Sequence, residues 1–215
     1  MALSPTEARV VGCLVEKQLS TPQQYPLTLN ALVLGCNQSS NRDPVLSLSE
    51  SECEAALSQL KQERLVRFVL PSHGRSVVRY RHVLDEQWSL DPPQLAVLAC
   101  LLLRGAQTVG ELRARTERMV SFEDVGETEH TLELLADREV PLTAPVPRRP
   151  GQMEARWTQL LAPGAESEGP GPTILSDRPP PEGDHDTLRA EVDELRRQLD
   201  DLRSLVENLR TSLGG

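Results

Sequence analysis

Aromatic residues are almost missing from this chain of 215 residues: two Trp, two Tyr and two Phe, 3% of the total. Any core must be built from Leu, Val and Ala, and helices suit those residues because Leu and Ala are strong helix formers. Long apolar runs are missing too. The longest, Leu95 to Leu103, is nine residues, against about 20 for a membrane span. The opening Met1-Ala2-Leu3-Ser4-Pro5-Thr6-Glu7 lacks the basic and apolar regions of a signal peptide. A cytoplasmic location without membrane contact is expected. The four cysteines form no C-x-x-C pair and have no histidine beside them. Three fall on apolar helix faces, so they are read as reduced core thiols, not as disulfides or metal ligands. His73, His82, His130 and His185 are scattered, and there is no nucleophile elbow or phosphate-cradling glycine loop. No catalytic, metal-binding or cofactor-binding residue is expected, and the chain is not read as an enzyme.

An overall basic field is also lacking. The net charge is −9, which argues against whole-protein steering toward nucleic acid. Residues 1–90 carry nine basic and nine acidic side chains, 91–162 eight and eleven, and 163–215 six and twelve. The acidity therefore lies mainly in the tail.

What is present is strong helix punctuation. Ser4-Pro5-Thr6-Glu7 combines an N-cap, a proline at the first helical position and a capping box, predicting a helix to about Gln18. Two prolines, Pro22 and Pro26, close the next loop. A second helix is predicted to carry Leu27, Leu29, Leu32, Val33 and Leu34. After the polar loop Cys36-Asn37-Gln38-Ser39-Ser40-Asn41-Arg42-Asp43-Pro44-Val45, Ser49 and Glu52 form a second capping box, with Leu48 and Cys53 as a hydrophobic staple. Cys53, Ala56, Leu57 and Leu60 then line one helix face. Leu65–Leu70 and Val77–Val83 read as a hairpin around a Gly74 turn. Helix, helix, helix and hairpin is the order of a winged helix.

The plan recurs. At an offset of 87, Val10, Cys13 and Leu14 fall on Val97, Cys100 and Leu101; at 75, Leu57 and Leu60 fall on Leu132 and Leu135; at 77, Arg79 and Tyr80 fall on Arg156 and Trp157. The first copy thus holds twelve extra loop residues, some of them expected in the Asn37–Val45 segment. The fold class expected is mainly α with small β-hairpins (α+β): winged-helix domains at 1–88 and 89–162, a disordered Pro/Gly/acidic linker at 163–186, and a coiled-coil helix at 187–213. In that helix Val192, Leu199, Val206 and Leu213 take heptad position a, and Leu188, Leu195, Leu202 and Leu209 take position d. This pattern predicts a parallel homodimer, with packing in cis on the tandem domains as the alternative.

Several segments resemble one family. Glu7-Ala8-Arg9-Val10-Val11-Gly12-Cys13-Leu14-Val15-Glu16-Lys17, Thr21-Pro22-Gln23-Gln24-Tyr25-Pro26-Leu27, the Cys36–Val45 loop, and Leu101 to Arg113 are similar to the YceH family of uncharacterised bacterial proteins. The resemblance covers about residues 3–160. It implies a bacterial source and a tandem winged-helix fold, and no activity.

A binding function is expected, with a DNA-associated or regulatory role as the leading reading and a protein adaptor as its alternative. In the first, duplex DNA is contacted through the first wing. Arg67, Arg75 and Arg79 (with Arg64 and Arg81) concentrate charge there, and Asn37, Gln38, Asn41 and Arg42 lie nearby in the loop. Alternate arginines are equally the solvent face of an amphipathic strand, and Asn, Ser and Asp in the loop can simply satisfy its backbone. The acidic start of the third helix, Glu50, Glu52 and Glu54, is ill-suited to phosphate. In the second, the chain is a protein–protein adaptor, by fold-level analogy with winged-helix segregation subunits.

Overall fold

A computed structural model describes residues 2–70, 77–147 and 154–162, all within one compact unit, Met1–Gly169. The expected linker and heptad helix lie outside the described residues, as does Arg75. Among those described, the fold is α+β, with seven α-helices and two small antiparallel sheets.

The first copy runs α1 (Pro5–Ser20), a 3-10 turn (Pro22–Gln24), β1 (Leu27–Thr28), α2 (Leu29–Cys36), α3 (Glu50–Gln62), β2 (Val66–Val69), β3 (Arg79–His82) and α4 (Leu84–Trp88). The second runs α5 (Pro92–Arg104), β4 (Gln107–Thr108), α6 (Val109–Thr116), α7 (Val125–Ala136), β5 (Thr143–Val146) and β6 (Arg156–Gln159). The sheets have matching strand orders, β1-β3-β2 and β4-β6-β5.

The start signals act where the sequence places them. Ser4, Ser49 and Thr108 each accept the amide of the N3 residue and receive its carboxylate on their own amide, a complete capping box at α1, α3 and α6. Two details differ from expectation. Leu27 is not helical: it pairs with Tyr80 in β1, and α2 starts at Leu29 behind the cap of Thr28. The hydroxyl of Thr28 accepts the Ala31 amide, so a threonine cap starts the helix two residues later than the apolar run. Helix α4 is a further element, one short turn that redirects the chain after β3.

The element offsets locate the twelve extra residues. They fall from 87 at α1/α5 to 80 at α2/α6 and 75 at α3/α7, so seven precede α2 and five lie between α2 and α3. The polar loop holds less than half of the excess.

The two copies share one continuous core, centred where α1 crosses α5. Residues Ala8–Val15 and Leu95–Leu103 are buried without interruption, which explains why α5 reads as an apolar run with no polar face. Gly12 permits the close crossing: a Cβ there would stand 3.1 Å from Leu102 Cβ and Leu103 Cγ. The Leu3 amide donates to the Leu161 carbonyl at 2.7 Å, closing the start of the first copy onto the end of the second. All four cysteines are free and buried. The Cys36 thiol lies beside those of Cys13 and Cys53, and their proximity together with burial pushes it far above the ordinary range.

Gly35 sits against that thiol cluster, where a Cβ would meet Cys13 Sγ at 2.7 Å. Gly35→Ala should destabilise the fold by about 1–3 kcal/mol through overpacking, despite better helix propensity. In a Cys13→Ala background the same change should cost far less. Urea denaturation of the four-member cycle measures the difference.

Candidate functional site

The loop that carries four of the candidate contacts is held from inside. Arg42 reaches between α1 and α2 and is 4% exposed. Its Nη1 and Nη2 donate to the two carboxylate oxygens of Glu16 at 3.1 and 2.6 Å. Its Nε and Nη2 donate to the Gly35 carbonyl at 3.0 and 2.7 Å, and Nη1 also donates to the Asn41 carbonyl at 2.8 Å. Burial would lower the guanidinium's pKa, but Glu16 outweighs it and holds the group above its ordinary value. Arg42 therefore belongs to the interior and is no surface contact.

A second buried arginine closes the same loop. Arg9 donates to the carbonyls of Cys36 at 3.1 Å and Pro44 at 2.6 Å, the two ends of the polar segment. Its pKa is lowered by burial and by nearby Arg42. Asn37 is spent on structure as well: Nδ2 donates to the Leu48 carbonyl at 2.8 Å and Oδ1 accepts the Leu48 amide at 2.7 Å. Gln38 Oε1 accepts from Lys17 and from Arg42, each at 3.2 Å. Asn41, at φ 57°, turns the loop toward the second copy. There Asn41 Oδ1 accepts from Arg104 at 3.2 Å and the Asp43 amide donates to the Leu103 carbonyl at 3.0 Å. The loop is a clamp between the copies.

Three arginines of β2 and β3 are also engaged. Glu86, on α4, takes Arg67 at 2.9 Å and Arg81 at 2.7 Å. Arg79 donates to the Pro26 carbonyl at 2.8 Å. The contribution of α4 is thus a carboxylate that offsets part of the positive charge of these two strands. At the end of β3, His82 is fully buried. Its Nδ1 accepts the Leu84 amide at 3.3 Å, and its backbone amide donates to the Tyr25 hydroxyl at 2.7 Å.

An open groove of about 650 Å³ remains between the end of α3, β2 and α4. Val66, Phe68 and Val83 supply apolar lining, and Lys61, Arg64 and Arg67 supply positive charge. The Lys61 ammonium stands 4.5 Å from the centre of the Phe68 ring. Neither Lys61 nor Arg64 has a carboxylate partner among the described residues. Sequence reasoning did not assemble this groove, because Lys61 lies on α3 and Gln87 on the unexpected α4. One signal was available: Phe68 is one of only two phenylalanines, and it sits on a strand beside Arg67. The second copy lacks the feature, since Lys61, Arg67 and Phe68 correspond to Ala136, Ala144 and Pro145 at the helix and strand offsets.

A family model described as "Protein of unknown function, DUF480" matches residues 3–152. The chain belongs to the DUF480 family. The YceH resemblance agrees with that membership. Family relatives include a UPF0502 protein of Geobacter metallireducens, 48% identical over 189 residues, covering 88% of this chain and 83% of the relative. One from Geobacter sulfurreducens is 52% identical over 160 residues, covering 74% and 72%. One from Shewanella sp. (strain ANA-3) is 44% identical over 197 residues, covering 89% and 90%. No described helix is long and apolar enough to cross a membrane.

Two outcomes follow for this family member. Arg42→Ala strands Glu16 and the Gly35 carbonyl in a buried site and should cost about 3–5 kcal/mol. Arg42→Lys should recover little, because an ammonium cannot make the bidentate contact; chemical denaturation checks both. His82 is held neutral, its pKa lowered from 6.5 to about 4, mainly by burial, with Asp85 opposing the shift and Arg81 adding to it. The unfolded chain takes up a proton that the folded chain refuses, so stability should fall as pH drops from about 6.5 to about 4. The loss should be on the order of 3 kcal/mol at the acid end. His82→Gln should flatten that slope in urea titrations.

Proposed function

We propose that the chain is a tandem winged-helix binding protein, without catalytic activity, whose first copy recognises another protein rather than duplex DNA. The winged-helix reading is supported by the repeated order of helix, short strand, helix, helix and hairpin, with the short strand completing each sheet. The observation that carries the choice of partner is the sharing of Glu86 by Arg67 and Arg81. Arg42 is buried, and a phosphate would have to displace the carboxylate that Arg67 and Arg81 already hold. The outward face of α3 adds Glu50 and Glu54, which repel it.

The DNA reading keeps one supporting observation: Lys61 and Arg64 are exposed and lack acidic partners among the described residues. The heptad of Leu188, Val192, Leu195, Leu199, Leu202, Val206, Leu209 and Leu213 supports self-association, which would give a bound partner two attachment points. A cytoplasmic site of action fits both readings.

A salt titration separates them. Short duplex DNA should show no saturable binding to the full chain near physiological salt. A steep fall of log affinity with log salt, lost on replacing Arg67, Arg75 and Arg79, would establish DNA as the partner instead.

A further inference from the structure

We propose that the free edge of β2 is a strand-addition site that takes an extended acidic segment of a partner protein; the inference rests on the protein-binding reading above and names the chemistry of the partner.

The hydrogen-bond parity of the sheet shows which backbone groups are available. The Val83 amide donates to the Leu65 carbonyl at 2.9 Å, and the β2–β3 register pairs Val66 with His82 and Phe68 with Tyr80. In an antiparallel pair, hydrogen-bonded and non-hydrogen-bonded residue pairs alternate. Leu65, Arg67 and Val69 therefore spend their backbone groups on β3, while Val66 and Phe68 turn theirs to the other side; Val66 is buried there and Phe68 is half-buried, so the accessible part of the edge begins at Phe68. Strand β2 is the edge of its sheet, and nothing among the described residues pairs with that side.

The second copy treats the equivalent edge differently. There the Leu160 amide donates to the Leu142 carbonyl at 2.9 Å, and Thr143 and Pro145 take the outward positions of β5. Pro145 stands where Phe68 stands in the first copy and has no N–H to offer. A proline at an outward edge position blocks strand pairing. The duplicated fold thus keeps one edge closed and one open, and the open one runs along the groove.

The groove selects by charge. Lys61, Arg64 and Arg67 flank the edge, and Glu86, the one carboxylate in the lining, is already shared by two arginines. Edge cations oppose pairing of β2 with the same strand of a second copy, since like charges would meet. They favour a strand bearing carboxylates, with an apolar side chain seated against Phe68 and Leu70, the latter 72% exposed. Main-chain hydrogen bonds would give affinity and the rim would give selectivity.

The test uses the full chain and three synthetic probes: a peptide alternating Glu/Asp with Val/Leu, its counterpart with Lys in place of the acids, and the acidic peptide N-methylated at alternate residues. The acidic peptide should bind in fluorescence anisotropy at low salt, and the other two should bind at least about tenfold more weakly. It should slow hydrogen exchange at the Phe68 amide. Phe68→Pro, which copies the closed edge, should weaken binding more than Phe68→Ala, and Lys61→Glu with Arg64→Glu should weaken it by about tenfold or more. The inference is overturned if the acidic peptide fails to bind at about 1 mM, or if the N-methylated peptide binds as well as its parent. Displacement of bound peptide by short duplex DNA would overturn both this inference and the protein-binding reading. Absence of binding to peptide and DNA alike would overturn the strand-addition site alone.

Discussion

The bidentate contact between Arg42 and Glu16 is the interaction on which the rest of the molecule is set. It places a guanidinium among apolar helices, where an uncompensated charge would be intolerable, and so it demands Glu16, the Gly35 carbonyl and the Asn41 carbonyl around it. Satisfying that demand fixes the path of the loop. The loop in turn delivers Asn41 and the Asp43 amide to the end of α5. A charge buried in the first copy thus determines how the second copy is held. Arg9, bonded to both ends of the same segment, ties the loop down at each end.

This arrangement redistributes what two copies of one scaffold can do. The first copy has spent its polar loop on architecture, and its Arg67, Arg79 and Arg81 bond Glu86 and Pro26. What it retains is the corner between α3, β2 and α4, where apolar and basic groups meet. The second copy has alanines and a proline at the corresponding places and contributes its most apolar helix, α5, to the shared core. One copy supplies a surface and the other supplies the body that stiffens it.

Much of the scaffold was legible in the residues. The capping boxes at Ser4 and Ser49 located two helix starts, because a cap is a local hydrogen-bonding pattern that tertiary packing seldom overrides. The repeat offsets aligned strands with strands and third helices with third helices. The start of α2 was misplaced because Leu27 is apolar in either state, and only its pairing with Tyr80 assigns it to a strand. Helix α4 escaped notice because five residues carry too little periodicity to register. The candidate contacts were less legible. Side-chain type marks Arg42, Asn37 and Gln38 as polar loop residues, but their burial depends on Glu16, Leu48 and Lys17, which are distant in sequence. The groove depends in the same way on Lys61, Phe68 and Glu86, three residues from three elements.

The bond from the Leu3 amide to the Leu161 carbonyl has a topological consequence. The first and last described stretches meet at one place, so the described backbone is nearly a closed ring. In such a ring the order of the halves is a matter of where the chain happens to be cut. A circular permutant opened between α4 and α5, with Leu161 joined to Leu3 by a short bridge, would present the two halves in reverse and yet bury the same α1–α5 seam. The duplication thus leaves a body in which neither copy has to come first.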